Sequence, residues 1–134
     1  VHQLARDYAH IQLSCGMDDQ ALEFFAWGAE SWVCAGSNFA PEAHIVLWKT
    51  CVVDGDFVLG RKIMSAMLPL MGTLEQGGKF LQCIKYGATL RGLPSGPPRS
   101  PLRGLNKDEK RSLAEVISVM NKTINELTAG ETGK

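Results

Sequence analysis

Ser14-Cys15-Gly16-Met17-Asp18-Asp19 and Cys34-Ala35-Gly36-Ser37-Asn38 decide how this chain folds, because each reads as a tight turn joining a short apolar strand to an apolar helix. Before the first turn, His10 to Ser14 alternates as a strand with Ile11 and Leu13 on one face. Before the second, Ser31 to Ala35, holding Trp32 and Val33, reads as another. Strand, turn and helix repeated in the same sense is the unit of a parallel sheet. Two such strands cannot make a stable sheet alone, so the pattern predicts part of a larger barrel. Gly16 permits the first sharp turn, and Asp18 or Asp19 is placed to cap the helix after it. Leu22, Phe25 and Ala26 form that helix's buried stripe, and Gly28 ends it.

Upstream, Leu4 to Tyr8 reads as the tail of a helix. Downstream, Pro41 suits a first helical turn, and Ile45, Trp48 and Val52 recur at helical spacing until Gly55. Asp56 is positioned to cap a helix whose apolar residues are Val58, Ile63, Met67 and Leu70, with a kink expected near Pro69. A shorter helix comes after Gly77-Gly78, with Phe80, Leu81 and Ile84 apolar. From Gly92 to Arg103, Gly92 and Gly96 are interleaved with Pro94, Pro97, Pro98 and Pro101, which predicts a rigid irregular loop. Asn106 and Glu109 have capping-box spacing, and Leu113, Val116, Ile117, Met120, Ile124 and Leu127 trace one face of the last helix. Gly130 stops it, and the tail to Lys134 is expected to be disordered.

At 134 residues the chain has the length of one domain, with enough apolar content for a core. Fourteen Lys and Arg balance fourteen Asp and Glu, which leaves no basic stripe for nucleic acid or acidic lipid. No uninterrupted apolar run approaches the ~20 residues that span a bilayer, and the cytoplasm is the simplest location. Cys15, Cys34, Cys51 and Cys83 form no CxxC pair, and His2, His10 and His44 show no ligand spacing with them, so no metal site is expected and the thiols read as free.

The order of elements divides the chain into residues 1–54, two parallel βα units, and residues 55–134, a helical extension. In a (β/α)8 TIM barrel of ~250 residues this is the closing quarter with a C-terminal addition. Chemistry in such barrels sits at the C-terminal ends of the strands, which here means Cys15, Gly16, Cys34, Ala35 and Gly36.

At these residues a resemblance emerges. Leu13-Ser14-Cys15-Gly16-Met17-Asp18-Asp19, then Gly28-Ala29, Val33 and Asn38, then Gly55-Asp56, Leu68-Pro69-Leu70, Lys85 and Arg99-Ser100-Pro101-Leu102 resemble, in order and spacing, the C-terminal half of the dihydrodipicolinate synthase family. N-acetylneuraminate lyase and aldolases and dehydratases of 2-oxo sugar acids belong to the same family. The resemblance implies a class I lyase in which a lysine on the sixth barrel strand forms a Schiff base with pyruvate or another 2-oxo acid, while a tyrosine on the fifth relays protons. Both would precede Val1, leaving no catalytic residue in this chain. It also implies no metal or other cofactor, a small-molecule 2-oxo acid as partner, and a homo-oligomer, commonly a tetramer. By position, Val33 matches the residue whose backbone carbonyl lies beside the bound 2-oxo acid, and Gly16 matches a glycine bordering the same pocket. Cys15, Cys34 and Gly36 are candidates for the pocket's edge.

The lysines agree with an absent nucleophile: Lys49, Lys62, Lys79, Lys85, Lys107, Lys110, Lys122 and Lys134 all fall on helices, their edges or the tail. Tyr8 and Tyr86 read as helix-face packing residues. Ser37 and Asn38 read first as turn and cap residues, and Arg99 as an anchor pinning the last helices. Glu75-Gln76-Gly77-Gly78-Lys79 stands where relatives of the lysine-biosynthetic type often carry Asn-Pro, and Met17 where an acidic residue is common. Both departures lean towards a catabolic member, such as a 2-oxo sugar-acid aldolase or dehydratase or a hydroxyproline-pathway deaminase. The competing reading is a complete non-enzymatic interaction module, with Met64, Met67, Met71 and Trp48 as an adaptable binding face.

Overall fold

The computed structural model describes residues 1–130, so the expectation for the tail lies outside the described residues. The chain runs α1 (His2–Asp7), β1 (Ser14–Cys15), a 3₁₀ turn (Asp18–Gln20), α2 (Ala21–Ala26), β2 (Ser31–Trp32), a second 3₁₀ turn (Gly36–Asn38) and α3 (Pro41–Trp48). A turn of π-helix over Lys49–Val53 leads into α4 (Phe57–Gln76), succeeded by α5 (Phe80–Leu90) and α6 (Lys107–Ala129). The strands pair in parallel, Ser14 with Ser31 and Cys15 with Trp32.

The strands are shorter than their alternation predicts. His10 and Ile11 instead close a turn after α1, with the Ile11 N–H donating to the Tyr8 carbonyl at 2.9 Å. A strand is defined by its partner, and each here has only one neighbour, so pairing stops after two residues. The Val33 N–H still reaches the Cys15 carbonyl at 2.9 Å, which extends the ladder one step towards the strand ends.

Local signals set the helix starts. The Asp56 carboxylate accepts from the N–H groups of Val58 and Leu59, at 3.0 and 2.9 Å. Pro41 opens α3, where its missing N–H has no partner to lose. Asn106 and Glu109 form the complete reciprocal box, at 2.9 and 2.8 Å.

One hydrophobic cluster runs through the βα units and the helical part alike, from Cys15, Ala21 and Phe25 to Leu113, Met120 and Ile124. α4 is its spine, burying Ile63, Met64, Met67, Leu70, Met71 and Leu74. Each such side chain contributes about 1.5–3 kcal/mol on removal from water. Met64, Met67 and Met71 are therefore core, not a binding face. By length and composition alone α4 is apolar enough to cross a membrane, but its apolar side is buried against this cluster.

Four helices bury faces that differ from their sequence pattern. Val58, at 59% exposed, and Ile45, at 60%, point outward, as does Ala26 in α2. α3 is apolar on every side, so its sequence carries little phase, and the π-turn rotates the residues after it; Ala43, His44, Leu47, Thr50 and Cys51 are the buried ones. In α5 the buried face is Gln82, Cys83 and Gly87, with Phe80 and Leu81 partly in water. Gly87 faces inward because the Phe39 ring lies where its Cβ would be. Two ion pairs tie α5 to its neighbours: Arg91 to Glu42 of α3, and Lys79 to Glu109 of α6. Arg99 makes no such anchor; its side chain is exposed in the proline-rich segment.

Candidate functional site

The two strand ends are held together by a side chain that a local reading assigns elsewhere. Asp18 does not cap α2. Its carboxylate, on a residue only 4% exposed, crosses to the other turn and accepts the N–H of Ala35 (3.1 and 3.3 Å) and of Gly36 (3.0 Å). Charge-assisted bonds to backbone amides are the strong kind, and here they lock the turn after β2 to the turn after β1. Asp19 does not cap either, and its Oδ1 is buried without a partner. Ser37 Oγ donates to the Cys34 carbonyl at 2.7 Å and Asn38 Nδ2 to the Ala35 carbonyl at 2.9 Å, so both serve the second turn as expected.

This lock determines what the strand ends present. Val33 lies just past β2 and is 75% exposed, so it is not a buried strand valine. Gly16 is exposed too, with open space where a Cβ would stand. Gly36 is buried against His44: a Cβ there would lie 2.7 Å from Nε2. Cys34 is half-buried and lines a groove of about 500 Å³ along the outer edge of β2, together with Trp32, Ser37, His44 and Trp48. Cys15 is fully buried, its thiol donating to the Met17 carbonyl at 3.1 Å, so its side chain faces the core instead of the pocket edge. Both thiols lie above their ordinary value, pushed up first by burial and further by Asp18, which disfavours the thiolate a nucleophile needs. Cys51 is pushed to about 11, again by burial first.

His44 is the residue that sequence reasoning missed. It is 4% exposed, its ring stands 4.8 Å from that of Trp32, and its Nδ1 lies 2.8 Å from the Ala40 carbonyl. A carbonyl only accepts, so Nδ1 carries the proton and Nε2 is left bare and unpartnered. Burial lowers its pKa below the ordinary 6.5, and the Ala40 carbonyl and the Asp18 charge offset this only in part. The unfolded chain therefore binds the proton more readily. The stability that His44 contributes is present above about pH 6.5 and is lost as pH falls through the lower folded value. The thermal midpoint should drop by a few degrees between about pH 7.5 and 5.5, and the drop should be smaller in His44→Gln. Equal slopes for the two proteins would exclude His44 as the group responsible.

Neither strand carries a lysine, and among the described residues no group of three or more His, Cys, Asp or Glu is arranged to hold a metal.

Comparison with known proteins gives this geometry a context. Residues 2–120 match the model of the dihydrodipicolinate synthetase family. The chain is 30% identical over 122 residues to a 4-hydroxy-tetrahydrodipicolinate synthase of an Exiguobacterium species, covering 88% of this chain and 41% of that protein. It is 25% identical over 123 residues to a provisionally named 2-dehydro-3-deoxy-D-gluconate aldolase of Escherichia coli K12, covering 89% and 40%. A Pseudomonas aeruginosa crystal structure, provisionally described as a dihydrodipicolinate synthetase, superposes with a TM-score of 0.80 at 30% identity, over 89% of this chain and 41% of that one. The chain thus spans about two fifths of the length of the relatives it matches.

Proposed function

Because this chain belongs to the dihydrodipicolinate synthetase family, we propose that it is the C-terminal part of a class I lyase, supplying the last two βα units of a TIM barrel and a helical extension, residues 55–134. Its substrate is pyruvate or another 2-oxo acid. The observation that carries this reading is the locked pair of strand ends: two parallel strands in register, joined by Asp18, with the Val33 backbone at the exposed end.

In the proposed reaction a lysine outside this chain attacks the 2-oxo carbon, a C–N bond forms, and the keto oxygen leaves as water. In a C–C cleavage the resulting imine accepts the electron pair of the breaking bond; in a dehydration it accepts the pair left when the neighbouring carbon loses a proton, and the enamine so formed expels hydroxide from the next carbon, which takes up a proton and leaves as water. The present chain contributes wall and orientation. The Val33 carbonyl and the Gly16 turn border the 2-oxo acid, Cys34 and Gly36 stand behind them, and Asp18 holds the second turn against the first. Backbone groups held in advance orient a small anionic ligand at little reorganisation cost. No metal is needed, and the oligomer expected of such a lyase is a homotetramer. The sequence departures at Met17 and residues 75–79 support a catabolic aldolase or dehydratase over a biosynthetic enzyme.

Borohydride trapping tests this. An intact polypeptide containing this chain and an upstream half, treated with pyruvate and borohydride, should gain one reduced pyruvate, mapped to a lysine before Val1. The 134-residue chain alone should gain none. An adduct on the short chain would overturn the assignment of the chemistry, and no adduct on the long one would overturn the lyase.

A further inference from the structure

Away from the strand ends, α5, the proline-rich segment and the start of α6 line a separate open cavity of about 300 Å³. Gln82, Lys85 and Tyr86 of α5 line it, with Pro97, Pro98 and Lys110, and no Asp or Glu is among its lining residues. Two features of this cavity bear on what it could hold. Gln82 is only 8% exposed, and its amide, which makes no hydrogen bond among the described residues, keeps its access to water, since neither amide atom is among the buried atoms without a partner.

The second feature is charge. Lys85 Nζ donates to the Ser95 carbonyl at 2.7 Å and lies 3.5 Å from that of Gly96, while Lys110 Nζ stands 5.4 Å from the Tyr86 ring centroid. Neither belongs to any of the chain's ion pairs among the described residues. Two ammonium groups therefore face one hollow with neutral partners only, beside an amide with donors to spare. Pro97 and Pro98 fix their own backbone angles, so this wall is formed before anything binds.

We infer that this cavity is a binding site for a small oxyanion, a carboxylate or phosphoryl group, held by Lys85, Lys110 and Gln82. Ammonium groups bind such anions as point charges, and the amide adds a directed donor. The volume lies at the lower end for small-molecule sites, which suits a metabolite of a few heavy atoms. The site is independent of the lyase reading, since it lies wholly within α5, α6 and their connection.

Equilibrium dialysis of the intact protein that carries this chain decides it, using labelled inorganic phosphate and, separately, labelled acetate, with chloride holding ionic strength constant. One saturable anion per chain is expected. Its affinity should fall about tenfold or more in K85Q/K110Q and be retained in K62Q/K122Q, which removes two exposed charges elsewhere. Saturation by phosphate alone assigns a phosphoryl ligand, and by acetate a carboxylate. Absence of saturable binding, or binding unchanged in K85Q/K110Q, would overturn the site.

Discussion

Asp18→Ala is expected to lower the stability of the fold by about 2–4 kcal/mol. The wild-type carboxylate satisfies two backbone donors, Ala35 N–H and Gly36 N–H, and Gly36 is itself buried. Removing it subtracts two charge-assisted bonds and leaves both amides in a site that water reaches poorly. For a chain of this size that corresponds to a fall of roughly 10 °C in thermal midpoint. Asp18→Asn keeps an acceptor oxygen of similar shape and should show about half of the loss. The distinctive readout is local: amide exchange at Ala35 and Gly36 should accelerate in both variants even under strongly native conditions, while Val58 and Leu59, capped by Asp56, stay protected. If Asp18→Ala melts within about 2 °C of the parent, the carboxylate is no clamp and the strand ends are held by their helices alone.

The same residue shows what a sequence can and cannot reveal. Asp56 and the Asn106–Glu109 box are legible because cap and helix are neighbours in the chain, so spacing alone specifies the bond. Asp18 also stands at a helix start, and every local rule makes it a cap. Its partners lie 17 and 18 residues away, on a turn brought near by strand pairing, and no local pattern encodes that approach. His44 is hidden for another reason. Ile45, Trp48 and Val52 suggest one face of α3, but a helix apolar all round has no phase of its own. The neighbouring β2 and its turn select the face, and they select His44 and Leu47.

The order of landmarks, by contrast, is enough to place the chain in its family, because landmarks such as Gly16, Gly55-Asp56 and Lys85 are read by spacing and need no knowledge of which faces meet. That is why Val33 and Gly16 emerge as candidates from the sequence while the groups that position them do not. Asp18, Gly36 and His44 form one connected unit: carboxylate on amide, amide on glycine, glycine under imidazole.

That unit makes Gly36→Ala the second large effect. An added methyl would stand 2.7 Å from His44 Nε2 and 2.8 Å from Cε1, closer than carbon atoms approach without displacement. The ring has little room to retreat, since Trp32 lies against it and Nδ1 is bonded to the Ala40 carbonyl. Overpacking of this kind costs about 1–3 kcal/mol, and displacing the imidazole adds about 1 kcal/mol for its lost hydrogen bond. Gly16→Ala is the matched control: nothing lies near its Cβ and its backbone has ordinary φ, so its cost should stay within about 0.5 kcal/mol. The decisive comparison is the double-mutant cycle with His44→Ala. Removing the imidazole frees the space the methyl needs, so Gly36→Ala should become nearly neutral in that background, a coupling of more than about 1 kcal/mol. Simple additivity would mean that Gly36 is required for some reason other than the ring beside it. Coupling would establish that the buried imidazole of His44 shapes the second strand's turn, beside the Asp18 carboxylate that holds its amides.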